Sequence, residues 1–184
     1  MATTAGSLAH LAKYLAAWAP GAAVKTLVDV VAFNQQHRAE ELAKLGAKRA
    51  ITSPLARSRE TAAQYEKLME THARIESGVG EVITPDNIAD RSEWLRGVMM
   101  GNWSAMDPGL QAWRQTVLAT VEKLPDDTAV FSHFVAINVI VGLLTGDDRV
   151  VVFKPGHASI TKLDRRGGKL VVAELGSEAA TVVT

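Results

Sequence analysis

Apolar positions along this chain follow two alternating rhythms: short unbroken runs of strand length, and longer stretches in which apolar residues recur at helical spacing. The segment Asn34 to Leu45 (NQQHRAEELAKL) opens on a capping residue and places Ala39, Leu42 and Leu45 on one face, which predicts a helix. Lys48 to Thr52 predicts a short buried strand. Ser53 then stands as a helix cap with Pro54 at the first helical position, where a missing N–H costs nothing, and this helix is expected to run to about Thr71. Ile75 to Asn102 is irregular apart from a helical piece over Ser92 to Met100. From Pro108, the spacing of Leu110, Trp113, Val117 and Val121 predicts another helix.

After the turn Pro125-Asp126-Asp127 comes TAVFSH, a predicted strand, and then FVAINVIVGLLTG, a nearly all-apolar helix closed by Gly146. VVVFKP, SITKLDRR and KLVVAEL predict strands, the last two joined as a hairpin at Gly167-Gly168. Strands alternating with helices imply an α/β fold with crossover helices and a largely parallel sheet. No internal repeat or low-complexity tract interrupts the pattern, and 184 residues suit a single domain, 1–184, with a core large enough to need no disulfide or metal.

Composition narrows the function classes. Hydrophobic residues make up 47% and charged residues 22%, which excludes a disordered chain. Lys plus Arg equals Asp plus Glu at 20 each, so no global field draws the protein to nucleic acid or to an anionic membrane, and any anion site must be local. The chain has no cysteine, which removes thiol nucleophiles and thiolate metal sites and fits a cytoplasmic setting. No apolar run reaches membrane-spanning length. The first 28 residues lack acid and are rich in alanine, like some targeting peptides; they also lack arginine, and Lys13 breaks the apolar core, so an internal opening segment is expected.

Two segments share a design. RAITS leads into PLARSRETA, and TAVFS leads into HFVAINVIV; each is a strand, a serine and an immediate helix. If both strands are parallel members of one sheet, their carboxyl ends lie on the edge where open α/β sheets bind ligands. Arg57 and His133 would then face one crevice, and helix amino ends there would add N–H groups suited to phosphate. Residues two apart on a helix diverge by about 200°, so Arg57 and Arg59 cannot both enter it. Arg57 is nearer the strand edge and is the expected ligand; Arg59 is assigned to an acid or to water.

The order Ser53-Pro54-Leu55-x-Arg57-x-x-x-Thr61-Ala62, followed by Phe131-Ser132-His133 and an apolar helix, resembles the histidine phosphatase superfamily, also called phosphoglycerate mutase-like, over residues 34 to 175. The resemblance implies a three-layer α/β/α sandwich. It also implies a chemistry: a histidine in an Arg-His-Gly step at the end of the first strand attacks phosphorus, arginines and a second histidine hold the oxygens, and a carboxylic acid protonates the leaving oxygen. Arg57 would take the clamp role and His133 the second-histidine role. Glu81, in GVGEVITP, sits where the family commonly places the acid; Glu93 is its rival, and either needs burial or a nearby phosphate to hold a proton at neutral pH.

The expected Arg-His-Gly step is absent. His10 is the upstream histidine at a compatible distance, 43 residues before Ser53, but Ala9 replaces the arginine and Leu11 the glycine. The surrounding SLAHLAKYLAA also has helical composition where the family has a strand. His37 and His72 read as surface residues, His157 as a turn residue, and Trp94, Trp103 and Trp113 as core or lid packing. No P-loop, dinucleotide fingerprint, histidine pair at metal spacing or G-x-S-x-G elbow is present. The leading expectation is a cofactor-free phosphate-monoester hydrolase working through phosphohistidine on a small or protein-borne ester. The alternative is a silent phosphate-binding member, and a mutase ranks last because no substrate contacts for it stand out.

Overall fold

The computed structural model describes residues 24–29 and 35–178. In chain order these form β1 (Val24–Asp29), α1 (Gln35–Lys44), β2 (Arg49–Thr52), α2 (Ala56–Met69) and β3 (Arg74–Ile75). There follow α3 (Arg91–Met99), α4 (Pro108–Lys123), β4 (Thr128–Ser132), α5 (Phe134–Thr145), β5 (Ile160–Arg166) and β6 (Lys169–Glu174). The sheet order is β3-β2-β4-β1-β5-β6. β3, β2, β4 and β1 run parallel, and β5 and β6 add an antiparallel edge.

The alternation of side chains along β4 builds two cores at once. Ala129 and Phe131 face a cluster with Ala39 and Leu42 of α1 and Ala62 and Tyr65 of α2. Val130 faces the opposite cluster, with Val117 and Val121 of α4 and the apolar stretch of α5. Period-two alternation thus gives each face of the sheet its own helical layer, as a three-layer sandwich requires. Every residue of β4 is buried, which explains its lack of charge. Tyr65 reaches across its cluster to donate to the Ala47 carbonyl at 2.6 Å, so its hydroxyl is not left unpaired.

Most expected elements stand close to their sequence boundaries. α3 starts at Arg91 because Asp90 accepts from the N–H groups of Ser92 and Glu93, and α4 starts at Pro108 because Asp107 accepts from Gly109 and Leu110. Gly146 ends α5 with φ 75°, and Gly167 and Gly168, at φ 56° and 81°, make the β5–β6 turn. Glu70 ends α2 in the left-handed region, one residue before the expected stop.

Four readings change. Ser53 and Pro54 do not open α2: the helix begins at Ala56 with Leu55 at its cap, whose carbonyl accepts from Ser58 and Arg59, and no side chain caps it. VVVFKP, residues 150–155, is not a strand. Asn138 of α5 accepts from the N–H groups of Val152 and Phe153 at 2.7 and 3.0 Å, and Val150 donates to the Gly101 carbonyl, so the N–H groups a strand would pair are taken. Conversely, Val24–Asp29 is a strand that the alanine-rich opening concealed, and the two-residue β3 at the sheet edge was hidden in the irregular middle.

Candidate active site

The two strand-serine-helix segments lie side by side. β2 and β4 pair in parallel with Thr52 opposite Phe131, so Ser53 and Ser132 leave the sheet at the same edge. The ladder continues one step further, where the Ser53 N–H donates to the Phe131 carbonyl at 3.0 Å. Thr52 Oγ1 donates to Ser58 Oγ, which donates to the Phe131 carbonyl at 2.8 Å, tying the first turn of α2 to the end of β4. These buried hydroxyls fix where the adjacent Arg57 projects.

Ser132 Oγ donates to the Val79 carbonyl at 2.8 Å, and the Glu76 N–H donates to Thr52 O, so the short 3-10 turn Ser77–Val79 is held over the same edge. Gly78 is required there, because a Cβ would lie 2.2 Å from Thr120 Oγ1. The turn delivers Glu81 beside Arg57, with Arg57 Nη2 3.7 Å from Glu81 Oε2. The Arg57 side chain is 47% exposed and that of Glu81 13% exposed, so the guanidinium reaches from solvent toward a sheltered carboxylate.

Burial pushes the Glu81 carboxyl above its ordinary value; the Val82 N–H, Arg57 and Arg91 oppose the rise without cancelling it. Shelter thus moves Glu81 in the direction that a proton-holding acid needs. Glu93 lies exposed in the first turn of α3, its N–H bonded to Asp90.

His133 caps the amino end of α5 with its backbone extended, at φ −131° and ψ 160°. The residue is 2% exposed, and Nε2 lies 2.7 Å from Ser53 Oγ. Burial, and secondarily the positive charge of Arg57, lowers its pKa from 6.5 to about 4, so it is a neutral imidazole at physiological pH. That coupling also places Arg57 within electrostatic reach of His133. The structure thus brings Arg57, Glu81 and His133 together. Arg59 is exposed, His72 is exposed past the end of α2, and His157 is exposed in the turn before β5. Trp103 is fully buried against Trp113, and Trp94 packs on the same cluster.

His10 lies outside the described residues. β1, the neighbour of β4, ends at Asp29 opposite Ser132, so His10 precedes this strand in sequence. Sequence reasoning missed Ser53 as a partner of His133 and Arg91 as a second cation near Glu81. The duplicated strand-serine-helix design was the available signal for the first; nothing local signalled the second. Among the described residues no group of three or more His, Asp or Glu side chains could hold a metal ion, and no helix is long and apolar enough to cross a membrane.

These features define a class: an α/β protein whose mostly parallel sheet gathers an arginine, an imidazole and a sheltered carboxyl at the carboxyl edge of its strands. The chain belongs to the histidine phosphatase superfamily (branch 1), whose sequence pattern matches residues 34–178. The match begins after β1 and leaves out the segment that holds Ala9, His10 and Leu11. No curated protein sequence matches the chain. Solved structures match its fold. A mycobacterial glucosyl-3-phosphoglycerate phosphatase complexed with VO3 is 13% identical with a TM-score of 0.66, covering 86% of this chain and 100% of that one. The alpha-ribazole phosphatase of Shigella flexneri is 14% identical with a TM-score of 0.63, covering 88% and 100%. The H9A mutant of phosphoserine phosphatase from Entamoeba histolytica, in complex with phosphoserine, is 14% identical with a TM-score of 0.62, covering 84% and 96%.

Proposed function

We propose that this protein is a phosphate-monoester hydrolase of the histidine phosphatase type, acting on a small phosphate ester. The convergence of Arg57, Glu81 and His133 at the carboxyl edge of β2 and β4 carries the reading. Arg57 and the neutral His133 bind phosphoryl oxygens, with the amino end of α5 adding its partial positive charge. Glu81, protonated, gives its proton to the leaving oxygen as the ester P–O bond breaks. His10 supplies the nitrogen that forms the new N–P bond. Water then cleaves that bond, with the Glu81 carboxylate taking the water's proton, and free phosphate and enzyme are regenerated. The similar folds of a glucosyl-3-phosphoglycerate phosphatase complexed with VO3 and of a phosphoserine phosphatase in complex with phosphoserine support a small ester over a protein-borne one.

A second reading is favoured by one observation: β1 ends at Asp29, with no histidine in that strand or in residues 30–34, while Ala9 and Leu11 replace the arginine and glycine of the nucleophile step. On this reading the same crevice binds phosphate esters without turning them over.

Turnover of p-nitrophenyl phosphate from acidic to neutral pH, run beside a vanadate titration, separates the two. Hydrolysis that is lost in His10→Ala, with an acid-labile phosphohistidine trapped by rapid quenching, supports the enzyme; vanadate binding without hydrolysis supports the silent module. Arg57→Ala should abolish vanadate binding while leaving the melting temperature unchanged, since the side chain is half exposed. Undiminished binding in that variant rejects both readings.

A further inference from the structure

Ser53 and His133 are both buried and separated by 80 residues, yet their side chains meet at 2.7 Å. Which of them donates decides what the other face of the imidazole can do. Ser53 Oγ already accepts the Leu55 N–H at 3.3 Å. Among the described residues its only other hydrogen-bond partner is His133 Nε2. If Nε2–H donated to Ser53, the hydroxyl proton would have no acceptor in a site with no solvent exposure, leaving a buried donor unpaired at a cost of about 1–3 kcal/mol. If the Ser53 hydroxyl donates to Nε2, the contact itself is satisfied on both sides: Oγ accepts once and donates once, and the ring carries its proton on Nδ1, which is not among the buried side-chain atoms left without a partner.

We infer that Ser53 is a positioning residue that holds His133 in the Nδ1–H tautomer, so that the imidazole offers a neutral N–H donor, from Nδ1, to an oxygen of the phosphoryl group. Among the described residues Nδ1 makes no hydrogen bond, and it is the ring nitrogen this arrangement assigns to a ligand. The serine that ends β2 therefore acts through the histidine that ends β4, and the parallel pairing of the two strands is what makes the contact possible. A neutral donor suits this place. Arg57 already supplies positive charge beside it, and a second buried cation would be repelled, whereas a dipolar N–H costs nothing in like-charge repulsion.

The inference rests on His133 facing the bound phosphoryl group, and its test keeps that premise separate. In ¹⁵N-histidine-labelled wild-type protein near pH 7, long-range ¹H–¹⁵N correlation spectra should show His133 with a protonated Nδ1 and a bare Nε2 before any ligand is added. Vanadate should then shift the Nδ1 resonance and leave Nε2 almost unmoved. Ser53→Ala should mix the two tautomers and weaken vanadate binding about tenfold, the loss of one neutral hydrogen bond, and Ser53→Cys, with its weak S–H donor, should recover part of both. A wild-type spectrum with the proton on Nε2 overturns the role of Ser53 and leaves the pocket standing. The Nδ1–H tautomer with no response to vanadate, in protein that binds vanadate, overturns the donor role of Nδ1. If wild-type protein binds no vanadate at all, the pocket reading fails, and the donor role fails with it.

Discussion

Replacing Glu81 with glutamine should move binding and catalysis in opposite directions, because the proposed function gives one carboxyl group two purposes. In its ionised form Glu81 lies 3.7 Å from Arg57 and competes for the cation that an incoming phosphate needs. A phosphate on the same guanidinium would sit roughly 5–6 Å from the carboxylate. At that distance the repulsion runs from about 0.8 kcal/mol per unit of phosphate charge at the dielectric of water to about 3 kcal/mol at an effective dielectric near 20, and solvent screening at the half-exposed Arg57 holds it to about 1 kcal/mol. Removing it should tighten vanadate or inorganic phosphate binding by about fivefold for a monoanion and up to about thirtyfold for a dianion. The gain should grow as pH rises, since the glutamine variant lacks only the ionised form.

Turnover should behave differently. An alkyl phosphate has a basic leaving oxygen that needs a proton, so Glu81→Gln should lower its kcat by about 10²–10⁴-fold. With p-nitrophenyl phosphate, whose leaving group is a far weaker base, the loss should be much smaller. The assay is a vanadate titration of wild type and variant by calorimetry at several pH values, beside kcat for the two substrates. Unchanged or weaker vanadate binding in Glu81→Gln, at a pH where wild-type Glu81 is ionised, would refute the placement of this carboxyl beside the anion. Stability gives an independent check on the same group. Because burial raises its folded-state pKa, Glu81 contributes stability that is present below its unfolded value and lost as pH rises through its folded value. The glutamine variant should therefore gain on wild type in melting temperature between acid and neutral pH.

His133 gives the opposite pH signature. Its folded pKa of about 4 lies below its ordinary value of 6.5, so the unfolded chain takes up the proton first and stability should fall as pH drops from about 6.5 to about 4, by up to about 3 kcal/mol. Denaturant melts of His133→Gln across that window should lose most of the slope, and an unaltered slope would mean that the ring is not held neutral. Asn138→Leu should cost about 2–5 kcal/mol in chemical denaturation, since it leaves the N–H groups of Val152 and Phe153 without their acceptor. A change below about 0.5 kcal/mol, the scale of a bland surface substitution, would mean that another group satisfies them.

What the sequence made legible follows from how local each determinant is. The starts of α3 and α4 and the turns at Gly146 and Gly167-Gly168 depend on residues within a few positions, so they could be read directly. The strand expected at 150–155 could not. Val150, Val151, Val152 and Phe153 have the composition of a strand, but their fate is decided by Asn138, whose amide oxygen sits on a helix that the pattern marks only as apolar. A polar residue in the middle of FVAINVIVGLLTG was the visible trace of that contact. β1 failed for the converse reason: Val24–Asp29 is a fair strand sequence, but the alanine-rich helical composition before it outweighed six residues.

The site divides along the same line. The placement of Arg57 and His133 at one edge of the sheet was legible because each sits in a strand-serine-helix segment, and two such segments in a parallel sheet must open on one edge. Ser53 was misread because a serine before Pro-Leu-Ala has every local attribute of a helix cap. The contact that recruits it elsewhere is made with a residue 80 positions away and exists only once β2 and β4 are paired. The same pairing explains why Ser53 does not serve as the cap: its oxygen is occupied by Leu55 and His133, and the cap falls two residues later on Leu55. Register between β2 and β4 is therefore the variable on which the pocket depends. A slip of one residue would carry Ser53 away from His133 and turn Phe131 out of its cluster together, so the packing of Phe131 against Tyr65, with ring centroids 5.9 Å apart, protects the chemistry as well as the core.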